Sequence, residues 1–328
     1  MNPCVLTEDP AMKTLVSDQD MELPIDMSHD GNPTFLGFSY MEGRLFAFKK
    51  YYRPCGGSVD LIRQLTEMQR SSMTFLEESA SPLGARLYDC SYEVDSCGIA
   101  RPRFVWSVPS VERGDFSRLE KWTKDFLAVI GASYAAPFVL DVAELMDECL
   151  RSAIQPLYLL GGVFDRQGGI QLVKADYDVE IQTRANPSAR GHYDDHLSFG
   201  AFSALLQRCA ASSQRAKLLD ATKKLLECGF SFHLFGSHYD IDDHKVIKPY
   251  FRWNGARSEI PWSAIMQMAE TNGKAPSLGS LVEIADRASA ANWYFYGFYV
   301  SIDNQKAPIL KLYFRPTAEP VGKKSSIA

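Results

Sequence analysis

The chain has 328 residues, 46% of them apolar, with a formal net charge of −5. That length supports a sizeable core in one domain, and no linker or charge block divides it. The acidic balance argues against general nucleic-acid binding, and without a long apolar run or a signal peptide the expectation is a soluble cytoplasmic protein with no membrane contact.

In chain order, residues 1–33 carry scattered acids and little periodicity and read as an extension. A strand-like run at Phe35-Leu-Gly-Phe-Ser-Tyr40 and a second at Phe48-Lys-Lys-Tyr-Tyr-Arg-Pro54 follow. Residues 58–78 then show apolar positions at helical spacing behind Ser58 as a cap. A second strand-like phrase lies at Arg101-Pro-Arg-Phe-Val-Trp106, and helical patterns return over 116–130 and 140–154. A third phrase, Val173-Lys-Ala-Asp-Tyr177, precedes a helical stretch over 196–226. A fourth, Ile247-Lys-Pro-Tyr-Phe-Arg252, precedes another over 261–291 with a break near Asn272-Gly273. The last is Leu310-Lys-Leu-Tyr-Phe-Arg-Pro316, and residues 317–328 read as a tail.

The phrase therefore recurs five times, and a repeated unit defines architecture before any single motif does. In Ile309-Leu-Lys-Leu-Tyr-Phe-Arg315, Lys311, Tyr313 and Arg315 alternate with apolar neighbours. A period of two puts the basic and phenolic groups on one strand face and the apolar groups on the other. Lys49 and Tyr51 follow the same pattern, as do Lys248, Tyr250 and Arg252. Each phrase follows a turn and another strand-like run, so each unit is a hairpin of about 20 residues with one or two helices between units. Ten antiparallel strands close into a barrel and lose their exposed edges. The fold class is α+β, a ten-stranded antiparallel barrel of five helix–hairpin repeats over residues 34–316, ringed by helices. The apolar face then packs against the helices, so Lys49, Lys174, Lys248 and Lys311 point into the lumen.

Several cations interleaved with tyrosines in one cavity suit a pyrophosphate whose leaving charge must be neutralised. Tyrosine faces suit a carbocation, because an electron-rich ring attracts positive charge. Together they fit the ionisation of an allylic pyrophosphate beside an electron-rich acceptor.

The five phrases resemble the strand motifs of the aromatic prenyltransferases of the ABBA, or PT-barrel, fold, over roughly residues 35–316. The compact bacterial members of the indole type are the nearest in character. The resemblance implies that Lys49, Arg103, Lys174, Lys248, Arg252, Lys311 and Arg315 bind pyrophosphate and that Tyr51, Tyr250, Tyr299 and Tyr313 shield the cation. It implies an isoprenyl pyrophosphate donor, an aromatic small-molecule acceptor and a monomer or weak homodimer. No cofactor is required, and any Mg²⁺ is auxiliary, held mainly by phosphate oxygens. Asp176 stands where a tyrosine is more usual. Gly37 stands near the place where indole enzymes carry a glutamate for the indole N–H. Pro249 removes a ladder donor, and a bulge there would accommodate it.

For the acceptor's proton, alignment of residues 235–245 with 296–306 makes His238 and Asp240 the equivalents of Tyr299 and Ser301, inside the lumen. Either can serve as a base, with Asp176 and Asp178 as rivals. The 192–196 run has two histidines at i, i+4, but a helix cap explains it without metal. No DDxxD run is present, and Gly161-Gly162 and Gly168-Gly169 read as turn glycines. The seven cysteines show no CxxC or ligand spacing and read as reduced thiols, Cys55 included. Two rival readings stay open: a peptide side-chain prenyltransferase of cyanobactin type, and a non-catalytic barrel that binds an anionic ligand.

Overall fold

The structure, a computed structural model, describes residues 33–52, 86–94, 100–108, 116–150, 157–165, 169–179, 195–210, 212–240, 242, 244–256, 259–303 and 307–317. Ten strands pair in the order β1-β10-β9-β8-β7-β6-β5-β4-β3-β2 and close on themselves. They are β1 Phe35–Met41, β2 Arg44–Tyr52, β3 Arg86–Val94, β4 Ala100–Val108, β5 Leu157–Phe164, β6 Ile170–Asp178, β7 Phe230–Asp240, β8 Lys245–Trp253, β9 Trp293–Val300 and β10 Ile309–Pro316. Every pairing is antiparallel. The expected closed barrel of five hairpins is what the chain forms.

The first hairpin turns on Glu42 and Gly43, with φ of 50° and 79°. Two central residues at positive φ give the turn whose twist matches a two-strand ribbon, and glycine makes the second position inexpensive.

Outside lie α1 Phe116–Val129, α2 Ala136–Leu150, α3 Asp195–Cys209, α4 Ser212–Glu227, α5 Trp262–Asn272 and α6 Leu278–Ala290. The periodic segment over 196–226 is two helices, and the segment over 261–291 breaks at Gly273, as its sequence suggested. None of these helices is long and apolar enough to cross a membrane. The 58–78 segment, Arg53, Cys55 and the side chains of the 192–196 run lie outside the described residues.

One apolar cluster joins the outward strand residues Phe48, Phe104, Trp106, Phe251, Leu312 and Phe314 to Phe126, Met146, Leu205, Leu225, Met268 and Ile284 of the helices. Trp106 meets Phe126 edge-on at 5.3 Å, and Trp122 stacks on Phe126 at 5.4 Å. Burial of such side chains, at roughly 25 cal/mol per Å² of apolar area, is what fixes the strand face that looks outward. The alternate residues have no choice but the lumen.

Pro249 needs no bulge in β8. It sits where the β8–β9 ladder is interrupted, between the Tyr250–Tyr299 pair and the isolated Ile247–Ile302 bridge. The missing N–H therefore faces a gap in the ladder on the β9 side, while Pro249 stays in register with Phe235 of β7.

Candidate active site

The register decides which lumen residues share a height. Lys49 pairs with Gly37, and Gly37 pairs onward with Tyr313, two residues beyond Lys311. Lys311 pairs with Tyr299, which pairs onward with Tyr250, two beyond Lys248. Lys248 leads through Gly236 to Asp176, two beyond Lys174. Lys174 leads through Gly161 to Val105, two beyond Arg103, and Arg103 leads through Ser91 to Tyr51, two beyond Lys49. The offset is the same at all five hairpins and matches the tilt of a barrel whose stagger equals its strand number. Lys49, Arg103, Lys174, Lys248 and Lys311 thus form one ring at one height.

The residues opposite these cations on the partner strands are Gly37, Ser91, Gly161, Gly236 and Tyr299. Four of the five are small, which gives the long cationic side chains room to lie across the barrel. A Cβ at Gly37 would stand 2.5 Å from Lys311 Cε, and one at Gly236 would stand 2.5 Å from Asp176 Oδ1. At Gly161 it would overlap the Phe104 carbonyl. Gly161 is therefore a strand residue pressed against a neighbouring backbone rather than a turn glycine.

The four lysines of the ring are at most 9% exposed. Lys174 and Lys248 both have pKa values pushed down from 10.5 to about 7, first by burial and then by the neighbouring cations. Lys174 Nζ donates to Asp176 Oδ2 at 3.0 Å, and Arg103 pairs with Asp89 at 3.3 Å. Lys248 makes no ion pair among the described residues and lies 5.1 Å from the Tyr299 ring centre. Crowded, dehydrated ammonium groups hold an anion strongly, because it relieves their mutual repulsion.

The next level along the same strands is Tyr51, Val105, Asp176, Tyr250 and Tyr313. With Tyr299 the tyrosines form a cluster, with ring centres 4.8 Å apart for Tyr250–Tyr299 and 5.6 Å for Tyr51–Tyr313. Burial raises the Tyr250 and Tyr313 pKa values well above 10, so both remain neutral phenols. The Tyr51 face already serves as a cation site: Lys311 lies 5.3 Å from its centre and Arg103 lies 5.2 Å from it.

Asp176 joins the two levels. His238 Nε2 lies 3.2 Å from Asp176 Oδ1, opposite the Lys174 contact on Oδ2. Burial opposes the carboxylate, yet Lys174 and the His238 hydrogen bond outweigh it and hold the Asp176 pKa well below the usual range. Burial, reinforced by Lys248 and Lys174, pushes the His238 pKa well below its ordinary value, so the imidazole is neutral. An ionised Asp176 therefore accepts from Nε2–H and leaves His238 Nδ1, which is buried with no hydrogen-bond partner among the described residues, as the bare nitrogen. Asp176 lines the cavity above the ring. His238 and Lys174 lie behind it.

Asp240 is not brought to His238. Its Oδ1 accepts the N–H groups of Asp242 and His244, and Oδ2 lies 3.2 Å from His244, so it ties the tip of the β7–β8 hairpin. The string alignment of residues 235–245 with 296–306 slips by two positions. Gly236 faces Lys248 whereas Tyr299 faces Lys311, so Gly236 and Tyr299 are equivalent, and His238 corresponds to Ser301. The same offset holds for the cations themselves, since Gly236 and Lys248 are as far apart in sequence as Tyr299 and Lys311. The side chain of Asp178 lies outside the description.

Arg252 and Arg315 stand four residues beyond Lys248 and Lys311, about 13 Å along a strand. The tyrosine level separates them from the ring. Their guanidinium groups lie 5.3 and 4.3 Å from the centre of the Tyr296 ring.

The cavity above the ring holds about 800 Å³ of empty space including its mouth. Its lining includes residues that alternation alone does not find. Tyr88, His233 and Tyr296 sit in register shifts of β3, β7 and β9, between Leu87 and Asp89, Phe232 and Leu234, and Phe295 and Gly297. Asp89, Leu234 and Gly297 are level with one another, so the three bulges are equivalent, and each turns one extra side chain into the cavity. Val105, Leu159 and Leu234 form an apolar patch on the inner wall.

No protein-family model matches the chain, and no curated protein matches it. Among solved structures, it is similar to 5-dimethylallyltryptophan synthase from Streptomyces coelicolor, at 11% identity over 90% of this chain and 86% of that one, with a TM-score of 0.46. A structure of that Streptomyces coelicolor synthase in complex with DMASPP and Trp matches at 13% identity over 91% and 84%, with a TM-score of 0.45. The apo form of the prenyltransferase PriB matches at 11% identity over 90% and 85%, with a TM-score of 0.49.

Proposed function

We propose that this protein transfers an isoprenyl group from its pyrophosphate to an electron-rich aromatic small molecule. The observation that carries the reading is the stack of two levels in one lumen: five cations at one height and buried neutral tyrosines at the next.

In this reading the ring of Lys49, Arg103, Lys174, Lys248 and Lys311 holds the pyrophosphate, and the prenyl chain runs up into the tyrosine level. The C–O bond to the pyrophosphate breaks, and the ring takes the charge of the leaving group. The allylic cation lies against the faces of Tyr51, Tyr250, Tyr299 and Tyr313, and three of these, Tyr51, Tyr299 and Tyr313, already hold an ammonium group at cation–π distance. A carbon of the acceptor's π system forms the new bond to the prenyl carbon. The ring proton then leaves, and Asp176 is the group placed to take it. Pyrophosphate binding draws Lys174 toward the phosphate and raises the basicity of the carboxylate it had neutralised. His238 holds the other oxygen and positions Asp176.

The test is to incubate the protein with dimethylallyl or geranyl pyrophosphate and a panel of indoles and phenols, following both pyrophosphate and products. Release of pyrophosphate together with a prenylated aromatic is expected. Tight pyrophosphate binding with neither cleavage nor product would instead identify an anion-binding barrel.

A further inference from the structure

The ring gathers five cations at one height, and its lysines are buried. The printed ion pairs give it two carboxylates among the described residues, Asp89 on Arg103 and Asp176 on Lys174. Like charges crowded where water is excluded repel strongly. A lysine can relieve that repulsion by losing a proton, whereas a guanidinium cannot.

The surroundings single out two members of the ring. Lys174 faces Gly161 on β5 and His238 on β7, with Asp176 two residues along its own strand. Arg103 and Lys49 act on it from other strands. Lys248 faces Gly236 on β7 and lies 5.1 Å from the Tyr299 ring centre of β9. Lys174, Lys49 and Arg103 act on it from the rest of the barrel, and Lys311 follows it in the ring. The neighbouring His238 and Tyr250 are neutral and balance none of this charge. Asp176 favours both ammonium groups, yet burial and the surrounding cations outweigh it and bring both pKa values down to about 7. A pyrophosphate in the ring reverses the balance, because its oxygens give each amine an anion to donate to.

We propose that the barrel binds its pyrophosphate donor together with protons, which Lys174 and Lys248 take from the solvent as the phosphates arrive. This rests on reading the lumen as the site of a prenyl pyrophosphate. It adds that the ligand completes the ring's charge, which the empty fold does not hold in full. Each amine gains one N–H bond on binding and loses it when the pyrophosphate departs. The solvent supplies and receives that proton, so charge balances over the cycle. Because the ligand raises both pKa values, affinity is greatest near pH 7 and weakens as pH rises above it. The same dependence loosens the product pyrophosphate, which a ring of permanent charges would hold at every pH.

The probe is dimethylallyl thiolopyrophosphate, whose phosphates are fully ionised at pH 8, so protons counted there belong to the protein. Calorimetric titration of the full chain at pH 8, in buffers of different ionisation enthalpy, gives the proton count. Titrations at pH 8 and pH 9 give the change in affinity. Amines with pKa values of about 7 are about nine-tenths unprotonated at pH 8, so uptake of about one to two protons is expected. Affinity should then fall about 10- to 100-fold between pH 8 and pH 9. A Lys174→Arg, Lys248→Arg double variant keeps its protons, so it should bind with little uptake and with less than about threefold dependence on pH. Lys248→Met serves as a second variant, and its proton count should be about half that of native or lower. The proposal is overturned if the native protein takes up less than about half a proton, or binds equally well at pH 8 and pH 9. It is also overturned if the native count persists in both variants. A native protein that binds no probe at either pH would instead remove the donor site itself, and this proposal with it.

Discussion

Lys248→Met is the substitution that most sharply separates a binding role from a structural one. Lys248 is 9% exposed, and its amine makes no ion pair among the described residues, so the empty barrel holds a dehydrated ammonium near three other cations. Its pKa falls from 10.5 to about 7. At 1.36 kcal/mol per pH unit, that sets a ceiling of about 5 kcal/mol on the cost of the proton to the empty fold. Relaxation around the amine brings the expected cost to about 1–3 kcal/mol. The folded state holds this proton less tightly than the unfolded chain does. The penalty is therefore complete below pH 7, shrinks as pH rises from 7 toward 10.5, and is absent above that. Urea unfolding at pH 7 and pH 9 measures it. Lys248→Met should be more stable than native at pH 7 by about 1–3 kcal/mol, and the gap should narrow by pH 9. Pyrophosphate at a hundred times its dissociation constant should add about 2.7 kcal/mol to the native protein, and the same concentration should add less to the variant. A variant that is less stable at pH 7, or a gap that does not depend on pH, would refute the reasoning.

Replacing Lys174 by Ala should lower turnover with dimethylallyl pyrophosphate by roughly 10- to 1000-fold, as removal of one charge-stabilising donor does. Tyr250→Phe and Tyr313→Phe should retain far more activity than the corresponding Ala variants, and equal losses would remove the shielding role. Gly236→Ala places a methyl group against Asp176 and His238, so coupled product should fall relative to prenyl alcohol, read by chromatography of the two. Asp176→Asn should leave inorganic pyrophosphate binding intact and change the ratio of product to alcohol; an unchanged ratio and rate would move the base elsewhere.

The barrel was legible because the hydrophobic period leaves no freedom. Once Phe48, Phe251 and Leu312 must face the helices, Lys49, Tyr250 and Lys311 must face inward. The repetition of that pattern carried the ring of five cations, Arg103 included. Register was less legible, since it depends on loop length and bulges that no local string encodes. That is why the best-looking string match, residues 235–245 with 296–306, placed Asp240 beside His238 rather than at a hairpin tip. The bulges at Tyr88, His233 and Tyr296 were illegible for the same reason: one inserted residue breaks the alternation that identifies lumen positions. One further signal is visible in the sequence. Gly37, Gly161 and Gly236 each stand opposite a lumen lysine, and a recurrent glycine across from a long side chain marks the space that side chain needs.

The central claim is that the barrel holds a prenyl pyrophosphate with its phosphates on the lysine ring and its allyl group among the tyrosines. A crystal structure with dimethylallyl thiolopyrophosphate tests it most directly. The account predicts phosphate oxygens within hydrogen-bond distance of at least three of Lys49, Arg103, Lys174, Lys248 and Lys311, and the allylic carbons against the rings of Tyr250 and Tyr313. Phosphates seated on Arg252 and Arg315, or anywhere outside the lumen, would contradict it.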